Sequence, residues 1–195
     1  MVALLVVGSA PCAHEDYEKA KVLFPDSETM LVNGACTMIE RAEHMLAGHT
    51  DRAEFFAAER RAAFPGRPIR VHASWAKHRQ RRPEPPFALY PAVTDWHGSE
   101  MSSGATSAGK AALIGLRLGY EPIVLCGCPM DGSGYSFDEA SGPYPAACQR
   151  VGDPKMQNRR TIVRYREKMK QLAETTFKGR VRSMSGYTKE VLGSP

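Results

Sequence analysis

Residues 2–7, Val-Ala-Leu-Leu-Val-Val, form an unbroken β-prone apolar run that stops at Gly8-Ser9-Ala10-Pro11. Unbroken apolarity over that length predicts a strand covered on both faces, because a half-exposed strand alternates. Residues 14–24 then read as a helix, and residues 29–32 as a second short strand ending at Asn33-Gly34. Residues 36–46 carry Met38, Ala42, Met45 and Leu46 on one helical face, which predicts an amphipathic helix. A further helix is expected over 51–64, stopped by Pro65-Gly66, and a weakly alternating strand over 69–73. Residues 77–91 are rich in Arg and Pro and read as a surface loop.

The second half repeats the alternation. Residues 105–118 have the small and apolar spacing of a helix packed close to a sheet, ended by Gly119, and residues 123–126 read as another buried strand. Residues 132–154 hold many Gly, Pro, Ser and Tyr and are too long for a simple connection, so they are expected to form an active-site loop. Residues 155–177 predict a long helix with Ile162, Tyr165, Met169, Leu172 and Ala173 inward, and residues 179–184 a last strand. Strands alternating with helices throughout predict a single Rossmann-like three-layer α/β domain over residues 1–195, with a mainly parallel sheet.

Composition narrows this only at its edges. With 43% hydrophobic and 24% charged residues, the chain of 195 is neither disordered nor fibrous, and its length suits one domain. Twenty-six Lys and Arg against 21 Asp and Glu leave a net charge of +5, which favours anionic partners such as nucleotides, phosphosugars or nucleic acid. Cys12, Cys36, Cys126, Cys128 and Cys148 are an odd set without a C-x-x-C pair, so neither a disulfide framework nor a zinc site is indicated. The apolar start lacks the basic residues of a secretion signal, and no run reaches the roughly 18 consecutive apolar residues of a membrane span. A cytoplasmic setting is expected.

Candidate chemistry concentrates after the strands. Gly8-Ser9 follows the first strand, where a doubly wound sheet places ligand-binding turns, since Gly permits close backbone approach and the next helix offers free N–H groups. Asn33 lies on the same edge, either reading a ribose or base through its amide or simply starting a helical turn. Residues 104–110 spell G-x-x-x-x-G-K, the skeleton of a phosphate-binding loop. However, Ala111 stands where the magnesium-holding hydroxyl belongs, and the preceding stretch is polar where a buried strand is required. Ser102, Ser103 and Gly104 read better as the turn before a close-packed helix. The six histidines show no metal-ligand spacing. Arg159, Arg160, Arg164, Arg166, Lys168 and Lys170 form a basic helix surface that is either a solvated face or a polyanion contact.

Four segments in order, residues 6–11, 31–33, 102–104 and 118–127, resemble the bacterial sialyltransferases of glycosyltransferase family 42. They also look like a wider group that includes flagellin-glycosylation accessory proteins and archaeal pterin pyrophosphokinases. Residues 132–138, Gly-Ser-Gly-Tyr-Ser-Phe-Asp, are similar to the G-S-S-Y-A-F-D stretch that follows the same strand in those enzymes.

The resemblance implies a domain holding a cytidine or similar nucleotide at the carboxyl ends of its strands. By position it places Gly8 and Ser9 at phosphate and ribose, Asn33 at the nucleotide, and Ser103 and Gly104 at the cytidine or carboxylate side. Gly127, at the end of the fourth segment, joins this set, and Tyr135 lies at the phosphate, where its hydroxyl would stabilise the departing group. The family carries Asn after the first Gly, then Gly-Pro, where this chain has Ser9 and Ala10. Its catalytic histidine lies beyond the tyrosine motif, whereas this sequence has no histidine after His97, so general-base work falls to His97, Asp95 or Asp131.

The expected activity is therefore that of a nucleotide-sugar-dependent glycosyltransferase-like protein. It would have no tightly bound cofactor, a CMP-linked or other sugar donor, and an anionic acceptor, nucleic acid included. Two alternatives stand beside it: a non-catalytic nucleotide-binding accessory module, and an ATP-dependent pyrophosphoryl transferase using Asp131 with Asp138 or Glu139 on magnesium.

Overall fold

The computed structural model describes residues 1–47, 53–74, 93–96, 106–131 and 159–195. Along the chain these form β1 (Leu4–Val7), α1 (Ala13–Leu23), β2 (Glu28–Val32), a 3-10 turn (Asn33–Thr37), β3 (His44–Ala47), α2 (Ala53–Ala63) and β4 (Arg70–Ser74). There follow β5 (Val93–Trp96), α3 (Ser107–Arg117), β6 (Ile123–Cys126), α4 (Arg159–Leu172) continuing as a π-turn (Ala173–Phe177), β7 (Val181–Ser183) and α5 (Gly186–Leu192).

The strands make one sheet in the order β5-β4-β3-β2-β1-β6-β7, and every pairing is parallel. The chain winds outward from β1 through β5, then returns to the other side of β1 for β6 and β7. That reversal puts a topological switch point between β1 and β6, where open α/β sheets leave a crevice at the carboxyl ends of the strands.

The apolar runs explain why the sheet is buried on both faces. In β1, Leu4 and Val6 pack with α3, α4 and Phe177, while Leu5 and Val7 pack with Ala13, Tyr17 and Ala20 of α1. All four are fully buried, and each such side chain stabilises the fold by about 1.5–3 kcal/mol. Helix α3 sits close because Gly115 has no side chain: a Cβ there would lie 2.6 Å from Leu4 Cδ2 and 2.8 Å from Ile123 Cδ1. The helix ends in a Schellman motif, with Gly119 N–H bonded to Leu116 O and Tyr120 N–H to Gly115 O.

Four sequence expectations need correction. The helix predicted over residues 36–46 is instead the 3-10 turn, an irregular stretch and β3. Met45 and Leu46, expected on one face, point to opposite layers, Met45 toward Phe56 of α2 and Leu46 toward α3. The period is two, and a four-residue run buried on both sides shows no periodicity by which to recognise it. Arg60 fixes the alternative: it is buried, its Nη1 donates to the Cys36 and Ile39 carbonyls at 2.8 Å each, and its Nη2 donates to Glu40 O at 2.5 Å. Those carbonyls are thereby taken by a guanidinium.

Strand β5 was not expected, because Val-Thr-Asp-Trp is half polar. It lies at the sheet edge, paired only with β4 among the described residues. On α4, Met169 and Leu172 are buried as expected, but Tyr165 is exposed and Arg166 takes the half-buried position on the inward stripe. Helix α5, a short C-terminal element without a strong apolar period, was also not anticipated. The expected surface loop over 77–91 and the expected active-site loop over 132–154 lie outside the described residues.

Candidate functional site

At the switch point the turn after β1 and the turn after β6 interlock through their backbones. Gly8 N–H donates to Cys126 O at 2.8 Å and Ala10 N–H to Gly127 O at 3.2 Å. A Cβ on Gly8 would lie 2.5 Å from the Gly127 carbonyl oxygen and 2.6 Å from Cys128 Sγ. The close approach that Gly8 permits is therefore with this neighbouring turn. Gly127 has φ 63, in the left-handed region, and a Cβ there would sit 2.4 Å from Ala13 Cβ. Ser9, half-buried, lies between Gly8 and the start of α1.

The carboxylate of Asp16, in the first turn of α1, joins this arrangement from below. It accepts from Gly127 N–H at 2.8 Å and from Ser185 Oγ at 2.6 Å. Asp16 is buried, and among the described residues no ion pair reaches it. Its oxygens are met by these two donors, beside the N-terminal end of α1. Cys12 Sγ lies 3.4 Å from Ser185 Oγ, and burial pushes the Cys12 thiol upward, so it is a neutral neighbour. Burial does the same to Cys36 and Cys128, each pushed up to about 12, which suits packing and not nucleophilic work.

One strand away, Asn33 opens the 3-10 turn with φ 50, a left-handed conformation that Asn tolerates better than most residues. Its Nδ2 donates to Ser107 Oγ at 3.2 Å, tying the end of β2 to the start of α3. Asn33 thus starts a turn and links it to α3 through its amide. Thr106 caps α3, its Oγ1 accepting from Gly109 N–H at 3.1 Å, and Lys110 N–H bonds to Thr106 O. The Gly109 and Lys110 amides are thus committed to the helix and are not offered to a phosphate. Lys110 itself is half-buried, and desolvation lowers its ammonium below the usual lysine range.

Of the residues singled out from sequence, Gly8, Ser9, Asn33 and Gly127 lie on this carboxyl edge, with Asp131 exposed four residues beyond Gly127. Tyr135, His97, Ser103 and Gly104 lie outside the described residues, and Asp95 is placed only as part of β5. Sequence reasoning missed Asp16, Ser185, Thr188 and Arg166. Asp16 carried a usable signal: it falls with Ala13, Tyr17 and Ala20 on the inward stripe of α1, and a carboxylate on an apolar stripe needs a partner. Among the described residues, no group of three or more His, Cys, Asp or Glu is placed to hold a metal ion, and no helix is long and apolar enough to cross a membrane.

No protein-family model matches the sequence, and no curated protein matches it. Solved structures do resemble the fold. A variant of the sialyltransferase Cst-II in complex with CMP superposes with a TM-score of 0.66 at 13% identity, covering 100% of this chain and 86% of that one. Sialyltransferase CstII from Campylobacter jejuni, in complex with the substrate analogue CMP-3FNeuAc, gives 0.62 at 13% identity, covering 100% and 89%. The MAf glycosyltransferase from Magnetospirillum magneticum AMB-1 gives 0.46 at 15% identity over 74% of this chain and 25% of that one. At such identities the likeness concerns architecture: the chain is a Rossmann-like α/β domain with the fold of a sialyltransferase.

Proposed function

We propose that the carboxyl edge around β1, β2 and β6 binds a cytidine nucleotide, and that the chain is a nucleotide-sugar-dependent glycosyltransferase-like protein. The observation that carries this reading is the placement of Gly8, Ser9 and Gly127 at the switch point, with Asn33 one strand away on the same carboxyl edge, in a fold similar to proteins whose structures hold CMP or a CMP-sugar analogue. In this reading the start of α1 and the Ser9 hydroxyl face phosphate and ribose, where the helix end favours negative charge. Asn33 addresses the nucleoside, its amide oriented by Ser107.

The remaining roles are assigned by resemblance. Ser103 and Gly104, just ahead of the Thr106 cap, would close the cytidine or carboxylate side. Tyr135 would donate its hydroxyl to the departing phosphate, easing the charge that develops as the sugar leaves. Asp131 or His97 would take the proton from the acceptor hydroxyl. The acceptor is an anionic molecule, in keeping with a net charge of +5.

The test is a thermal-shift and calorimetric screen of CMP, CMP-sugars, UDP- and GDP-sugars, and ATP with magnesium. The reading predicts stabilisation by cytidine compounds, on the order of 2–3 kcal/mol at a hundredfold excess over Kd. Protection by ATP and magnesium alone would favour the pyrophosphoryl-transfer alternative. Cytidine binding without transfer to any acceptor would mark an accessory module.

A further inference from the structure

Each residue of the turn after β6 is held by a different group, and two of those groups come from the C-terminal segment. Gly127 N–H is bonded to Asp16, whose other partner is the Ser185 hydroxyl. The Cys128 carbonyl accepts from Thr188 Oγ1 at 2.8 Å. Pro129 packs on Gly186, where a Cβ would lie 2.4 Å from Pro129 Cβ and 2.6 Å from its carbonyl oxygen. The Met130 carbonyl accepts from Arg166 Nε at 2.9 Å, and the Arg166 guanidinium lies 4.7 Å over the Tyr187 ring. Thr188 is fully buried, and its hydroxyl also meets Ser183 Oγ at 2.8 Å and the Ser185 carbonyl at 3.0 Å.

That much restraint on four consecutive residues is more than a connection needs. Met130 has φ 52, which a non-glycine residue holds only when its surroundings demand it. The turn lies at the switch point and leads directly to exposed Asp131.

We propose that residues 183–188, with Asp16 and Arg166, are the positioning element of the site: they fix the 127–130 turn so that its backbone meets a bound nucleotide, and Asp131 beyond it the acceptor, already in place. This rests on the cytidine reading above. Among the described residues, Thr188 and Arg166 bond to the turn and its supports, so they are positioning residues acting through it. A preorganised turn pays no ordering penalty on binding, and a loosened one does.

The experiment measures CMP affinity by calorimetry in the cold for the wild-type chain, Thr188→Val, Thr188→Ser and Arg166→Gln, each first shown to be folded under those conditions. Amide hydrogen exchange over residues 126–131 is followed in parallel. Thr188→Val keeps the shape and loses the hydroxyl, so exchange in the turn rises and CMP binds roughly tenfold more weakly. Thr188→Ser restores both. Should Thr188→Val fail to fold, Arg166→Gln, at a half-buried position, gives the same two readouts. A merely structural role would lower the melting temperature and leave the affinity of the folded protein unchanged, and that result overturns the proposal while the cytidine reading stands. Absence of CMP binding by the wild type removes the cytidine reading itself, and the proposal with it.

Discussion

His44 Nδ1 lies 2.9 Å from His72 Nε2, and the two rings stack inside the sheet with centroids 5.1 Å apart. His44 Nε2 continues the chain to Tyr120 OH at 2.9 Å and Glu28 Oε2 at 3.2 Å, and the Tyr120 hydroxyl donates to Glu28. Both imidazoles are buried, and a single hydrogen bond between two ring nitrogens suits two neutral rings. Burial holds both below the usual histidine range, and for His72, pushed down to about 4, the neighbouring His44 and Arg70 add to it.

The sign of the pH dependence follows from that depression. Below about pH 6.5 the unfolded chain takes up a proton that the folded His72 still refuses, so stability is complete above 6.5 and falls toward pH 4. A shift of that size corresponds to a loss on the order of 3 kcal/mol from His72, with His44 acting in the same direction. Urea unfolding between pH 7.5 and 4 measures it. His72→Phe should flatten the profile, and a wild-type midpoint constant over that range would contradict the buried pair.

Arg60 provides a second test. Removing its guanidinium strands the Cys36, Ile39 and Glu40 carbonyls, two of which it meets with Nη1 in a buried setting. Arg60→Met, similar in length and apolar, is expected to lower stability by about 3 kcal/mol, because each buried group left unpaired costs about 1–3 kcal/mol. A urea midpoint close to that of the wild type would show that the carbonyls find other donors.

Gly127→Ala should be more damaging than its size suggests. The left-handed backbone disfavours any Cβ by about 1–2 kcal/mol, and the new methyl would press on Ala13 at 2.4 Å. Overpacking adds about 1–3 kcal/mol, so a loss of at least 2 kcal/mol in urea unfolding is predicted. A smaller loss would mean that α1 yields easily at Ala13.

The layers of this fold were legible in the sequence because β1, β2 and β6 are short runs closed by turn residues, and because Gly115 and Gly119 mark a close helix and its end. Strand β3 was not, since His-Met-Leu-Ala buried on both faces offers no period, and in the stretch before it the Cys36, Ile39 and Glu40 carbonyls are taken by Arg60, a residue distant in sequence. On the carboxyl edge, the positions of Gly8, Asn33 and Gly127 directly after strands were legible from residue type and order. Asp16, Ser185 and Thr188 were not, because hydroxyls and a carboxylate gain their meaning only when α1, β6 and the C-terminal segment converge. Arg166 was legible as charge but not as a clamp, since sequence placed it on a basic surface.

Asn33 separates conformation from recognition. Asn33→Ala loses the amide and also strains a backbone at φ 50, whereas Asn33→Gly loses the amide and relieves that strain. The cytidine reading predicts that Asn33→Gly stays within about 1 kcal/mol of wild-type stability yet binds CMP roughly tenfold more weakly, as expected for one lost hydrogen-bonding group. Equal CMP affinity in calorimetry would place the nucleoside elsewhere.

The most direct test of the central claim is a CMP titration followed by the backbone amide resonances of the isotope-labelled protein. The account predicts shifts concentrated at Gly8, Ser9, Asn33, Gly34 and the turn from Gly127 to Asp131, the carboxyl edge around the switch point. No shifts at millimolar CMP, or shifts confined to the opposite edge near Glu28 and Tyr120, would contradict it.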